Sequence, residues 1–164
     1  MKICKYLKMP TYFLSLFFTM LITITVVSTT AYAETKMVEV YTKFSDQQLI
    51  DIAKKRYPIV ELDGQGKIRI TNELGQKVVI FNHSDTGYLS FKMSWGANNN
   101  ISLKSVNKWN TTKRFLTAYI DAVGNLILHD DLDIEEGISK ADLLNVLSRT
   151  FMEGYLFSSD MPKE

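Results

Sequence analysis

Trp95, Asn107, Trp109 and Asn110 are the residues whose types point most directly to recognition, and Asp130, Asp131, Asp133, Glu135 and Glu136 form the densest cluster with cation-binding oxygens. An indole has a large apolar body and a polar tip, so beside side-chain amides it can anchor a partner. A Trp at helical spacing from Val106 also suits a core, with neighbouring asparagines satisfying backbone groups at helix ends, and for Trp109 that structural role weighs more. Trp95 ends an alternating stretch that runs into Gly96-Ala97-Asn98-Asn99-Asn100, a loop composition that favours exposed recognition. Partner or dimer contact at Asn107, Trp109 and Asn110 is the weaker of the two readings, and Trp95 is the better candidate for it.

The acidic run resembles a calcium loop only at first sight. Counted from Asp131, the position that needs glycine for the sharp turn is Glu136, and the position that needs a bidentate glutamate is Asp142. Leu132 and Ile134 alternate with the acids, the pattern of a strand end and turn facing water. His83 and His129 are the only two histidines, too few and too isolated for a metal triad or a proton relay; one sits beside a turn, the other on an expected strand edge. No G-x-S-x-G elbow is present, and Gly64-Gln65-Gly66 lacks the Lys-Ser/Thr of a phosphate loop. The single cysteine, Cys4, precedes the apolar N-terminal run, so thiol catalysis, disulfides and thiolate metal sites are excluded from the rest of the chain. No enzyme activity, metal or cofactor is expected.

The N-terminus reads as an address. Lys2, Lys5 and Lys8, an apolar run from Tyr12 to Val27 and the ending Ala31-Tyr32-Ala33 spell a secretory signal peptide over residues 1–33, with cleavage before Glu34. The expected location is the periplasm or outside the cell, with membrane contact only during export. The alternative is an inner-membrane anchor over residues 11–29, which Ser15, Thr19, Thr23 and Thr25 dilute. Without the signal lysines the chain carries 16 basic and 18 acidic residues, a formal charge of −2. Such a balance, with Lys54-Lys55-Arg56 as its one basic cluster, argues against nucleic-acid binding.

After a lead-in over residues 34–43, Phe44-Ser45-Asp46-Gln47-Gln48-Leu49 has the cap and staple of a helix start, and Leu49, Ile52, Ala53 and Tyr57 form its apolar face up to Pro58. The three basic residues Lys54 to Arg56 fit its last turn. From Ile59 to Trp95 the period becomes two, with turns at 63–66, 73–75 and 85–87, which predicts an antiparallel meander buried on the face of Leu89, Phe91, Met93 and Trp95. A second helix should start at Ser102 and reach Lys113; strands over 114–121 and 125–132 follow. Ser139 should cap a third helix with the buried stripe Leu143, Leu147, Phe151 and Tyr155, ahead of a loose tail over 158–164. This order, helix, strands, helix, two strands, helix, predicts an α+β domain over 44–157 with helices on one sheet face.

Val106-Asn107-Lys108-Trp109-Asn110, Phe115 to Asp121, Gly124 to Leu128, Asp131-Leu132 and Gly137-Ile138-Ser139 together resemble the YbjN family of bacterial proteins. The resemblance is good over 101–157 and looser over 44–95. It implies a two-layer α+β fold like that of type III secretion chaperones, an antiparallel sheet with three helices, commonly paired as a homodimer. It implies a non-enzymatic binding or regulatory protein acting through contact with another protein. The competing expectation is a small-molecule or peptide binder using a groove between helix and sheet.

Overall fold

The first helix, α1 (Asp46–Ala53), starts at the predicted capping box: Ser45 Oγ accepts the Gln48 amide at 3.2 Å, and Gln48 Oε1 accepts the Ser45 amide at 2.8 Å. The fold comes from a computed structural model that describes residues 38–97 and 101–160. The signal peptide expected over 1–33 and the end of the expected tail, 161–164, lie outside the described residues. Leu49, Ile52, Ala53 and Tyr57 are all buried, but the helix stops at Ala53. Lys54, Lys55 and Arg56 form an exposed turn instead of a last helical turn. Pro58 disfavours helical backbone at Tyr57, so the chain tightens early, with the Lys55 amide bonding back to Ile52 O at 3.2 Å.

Four strands follow as the alternating pattern predicts: β2 (Ile59–Leu62), β3 (Ile68–Thr71), β4 (Lys77–His83) and β5 (Tyr88–Trp95). After α2 (Leu103–Thr112) come β6 (Thr117–Ile120) and β7 (Leu126–Asp133). All pairings are antiparallel, in the order β2-β3-β4-β5-β7-β6, so β7 lies between β5 and β6. His129, on β7, is therefore inside the sheet and not on its edge. The expected strand over 114–121 begins only at Thr117, because Phe115 takes a positive φ of 77° and breaks the extended run.

A period-two reading has nothing to say about two-residue strands. The lead-in contributes β1 (Val40–Tyr41), which pairs with β8 (Ile138–Ser139) in a separate two-stranded sheet. Ser139 still caps the last helix, α3 (Lys140–Asp160), accepting the Asp142 amide at 3.1 Å.

One face of the six-stranded sheet carries Ile68, Ile70, Val78, Ile80, Leu89, Phe91, Met93, Ala118, Leu126 and Leu128, each at most 3% exposed. On it lie Leu49 and Ile52 of α1, Val106 and Trp109 of α2, and Leu143, Leu147, Phe151 and Phe157 of α3. This is the predicted α+β arrangement of antiparallel sheet and three helices. The stripe of α3 differs at one position: Tyr155 is 56% exposed, and Gly154 and Phe157 face the sheet. A methyl at Gly154 would run into Met93 Sδ, so glycine lets α3 seat against β5. The loose tail expected from Ser158 is not what residues 158–160 form. Ser158 and Ser159 belong to α3 and donate their hydroxyls to Tyr155 O at 2.8 Å. None of the described helices is long and apolar enough to cross a membrane.

Candidate functional site

Two of the four residues expected to meet a partner, Trp95 and Trp109, pack between the helices and the sheet. Trp109 is 3% exposed; its Nε1 donates to Leu116 O at 3.3 Å and its ring meets Phe157 edge-on at 4.8 Å. Trp95 is half-buried, 5.3 Å from the same Phe157 ring, because its register with Leu126 turns it toward α3 and away from solvent. Asn110 donates to Ala118 O at 2.9 Å and accepts the Ala118 amide at 2.8 Å. These contacts are of the structural kind that the sequence favours for Trp109 and its neighbouring asparagines. Asn107 and Asn110 are both exposed.

Asn110 has a definite structural task. Strand β6 is an edge of the sheet, paired only with β7. A side-chain amide presents the same donor and acceptor as a peptide group, so Asn110 occupies the outward backbone groups of Ala118 as a further strand would. That edge is blunted within the chain.

No described helix lies on the other face of the six-stranded sheet. Its register brings Phe81 opposite Ser90, His83 opposite Tyr88, Lys92 opposite His129 and Ser90 opposite Asp131. His83 and Tyr88 stack at 4.7 Å, Phe81 lies 6.4 Å from His83, and Lys92 Nζ sits 5.0 Å from the Phe81 centroid. Across the face Tyr119 meets His129 edge-on at 6.3 Å. Aromatic groups flanked by lysine and carboxylate on an open sheet have the composition of a protein-binding surface.

Ser90, Asp131 and His129 also come together here, but in the wrong order for hydrolysis. Asp131 Oδ1 accepts the Ser90 hydroxyl and lies 2.9 Å from His129 Nε2. A nucleophilic serine needs the imidazole as its proton acceptor. Here the carboxylate stands between the two. Burial pushes the Asp131 carboxyl up, but the bonds from Ser90 and His129 outweigh it and hold it below its ordinary range.

Asp130 points to the opposite side. It lies opposite Phe91, toward α3, where Arg149 donates to its Oδ2 at 3.2 Å. The Arg149 guanidinium carbon is also 4.4 Å from the Phe115 ring centroid. Burial holds the Asp130 carboxyl above its ordinary range despite the arginine. Of the solvated acidic run that the sequence predicts, Asp130 is thus half-buried and ion-paired, while Asp131, Asp133, Glu135 and Glu136 are exposed. No cluster of three or more metal-ligating side chains occurs among the described residues.

No motif in the sequence marks Phe81, Tyr88, Lys92 and Tyr119 as site residues, and His83 stands out there only as an isolated imidazole. Their alternation was the available signal, since each has a solvent-side parity opposite to Leu89 and Phe91. Nor does any local pattern mark Ser84, which accepts the Phe44 amide at 3.1 Å and donates to Phe44 O at 2.9 Å, fixing the entry to α1.

A family model, YbjN, described as "Putative bacterial sensory transduction regulator", matches residues 54–153. No curated protein matches the chain. A chain of the solved structure "Structure of the HopA1-SchA Chaperone-Effector Complex" is similar with a TM-score of 0.47 at 11% identity, covering 63% of this chain and 84% of that one.

Proposed function

Because this chain belongs to the YbjN family, we propose that it is a protein-binding regulatory module with no catalytic role, and that it works through the bare face of its six-stranded sheet, first of all by pairing with a second copy of itself. One observation carries the reading. All three described helices cover a single face of the sheet, and the other presents Phe81, His83 and Tyr88 beside Lys92. Apolar and aromatic area left open to water favours association, and an isologous pair is the commonest closure for such a face.

Sedimentation at micromolar concentration tests this directly. The wild-type chain should run at twice the monomer mass, and Phe81→Asp with Tyr88→Asp should run as a monomer with an unchanged circular dichroism spectrum. A monomer at every concentration, or a dimer indifferent to both substitutions, would overturn the sheet-face reading.

We further propose that the protein acts after export, in the periplasm or outside the cell. Support comes from Lys2, Lys5 and Lys8, the apolar run and Ala31-Tyr32-Ala33. Intact-mass measurement of exported protein should give Glu34 as the first residue. Material that keeps Met1 and stays with the inner membrane would instead assign residues 11–29 to an anchor.

A further inference from the structure

A cleft of about 410 Å³ lies on the helix layer, lined by Lys104, Ser105, Lys108, Trp109, Thr112 and Lys113 of α2 and the residue after it, with Asp160 at the end of α3. Its charge is one-sided. Lys113 is held in place, 3.0 Å from Asp160 Oδ2 and 5.2 Å from the Trp109 ring centroid. Lys104 and Lys108 form no salt bridge among the described residues, although the chain beyond residue 33 is net negative.

We infer that this cleft is a second binding site, independent of the sheet face, and that it takes an acidic, extended peptide segment of a protein partner. The chemistry of the lining selects that class. Thr112 donates its hydroxyl to Lys108 O at 2.8 Å, and the Ser105 hydroxyl is paired with that of Ser102 at 3.1 Å. What remains to meet a ligand is two ammonium groups on flexible stems. Ammonium groups attract negative charge without imposing the planar or tetrahedral geometry that selects a particular small anion.

Spacing points the same way. Lys104 and Lys108 are neighbours on successive helical turns, about 6 Å apart. Carboxylates on alternate residues of an extended chain recur at about 6.6 Å. A segment with acids at every second position can meet both lysines without distortion. The buried Trp109 is part of the lining, beside the two lysines.

The test is fluorescence anisotropy of the full chain with a labelled peptide of alternating glutamate and serine. Binding should be saturable at low salt and weaken steeply between about 50 and 500 mM NaCl. Lys104→Glu with Lys108→Glu should weaken it by about tenfold or more. Folding of that variant is not at risk, because both side chains are exposed and a glutamate in the first turn of α2 suits the helix dipole better than a lysine. Phe81→Asp should leave peptide binding unchanged, which separates this site from the sheet face. No saturable binding, equal binding by the double variant, or displacement of the peptide by inorganic phosphate at the same charge concentration would overturn the inference. So would a dimer that the double variant dissociates, since the cleft would then belong to a second copy.

Discussion

Phe157→Ala is expected to lower stability by about 3–5 kcal/mol, the cost of emptying a fully enclosed aromatic site that cannot collapse. Phe157 is 0% exposed and holds Trp95 at 5.3 Å and Trp109 at 4.8 Å, so it joins α3 to β5 and to α2 at once. For a domain of this size the melting temperature should fall by about 10–20 °C. The fluorescence of the folded variant should also change, because the chain's two tryptophans both lie against that ring. Phe157→Leu keeps most of the volume and should cost about 1.5 kcal/mol or less. Urea unfolding followed by fluorescence and by circular dichroism gives the two free energies and the fluorescence change, and a thermal melt gives the fall in midpoint. A loss under about 1 kcal/mol for the alanine variant would mean that the last turns of α3 are not docked on the sheet.

Arg149→Leu should be the next most damaging single change, costing about 2–3 kcal/mol at pH 7, less than the loss of one partner from a fully buried pair. It strands the Asp130 carboxylate, whose side chain is 15% exposed, and removes the cation over Phe115. The sign of the pH dependence follows from the raised folded-state value of Asp130. Burial already favours the neutral acid, so Asp130 binds its proton more tightly folded than unfolded, and its ionisation works against folding as pH rises through that window. The guanidinium offsets part of this only while the carboxyl is charged. The penalty of Arg149→Leu should therefore be largest at pH 7 and shrink as the pH falls through the raised range. Asp130→Asn combined with Arg149→Leu should recover part of the loss at pH 7, since no charge is then stranded. A penalty that is the same at both ends of the range would show that Arg149 matters through its packing and not through its charge.

Local chemistry was legible in the sequence wherever one short segment decides the outcome. Ser45, Ser102 and Ser139 each cap a helix because the hydroxyl and the amide it accepts are three residues apart, a relation contained in the segment itself. The alternation from Ile59 to Trp95 gave the meander and the buried face of β5 for the same reason: strand parity alone sends Leu89, Phe91 and Met93 to one side. The YbjN resemblance likewise rested on contiguous runs and met its family match over 54–153.

Tertiary structure decided what depends on partners far along the chain. The spacing of the N-x-W-N stretch favours a structural role but names no partner: Phe157 and Leu116 enclose Trp109, and the free edge of β6 engages Asn110. Adjacent acids in one run, Asp130 and Asp131, went to opposite faces, and which face was covered depended on where α3 lay. Two-residue strands such as β1 and β8 exist only because each finds the other about a hundred residues away. The candidate site belongs to this second kind. Phe81, His83, Tyr88 and Lys92 are polar-side residues of two strands in sequence, and they form a surface only because register sets them side by side on the face that no described helix covers.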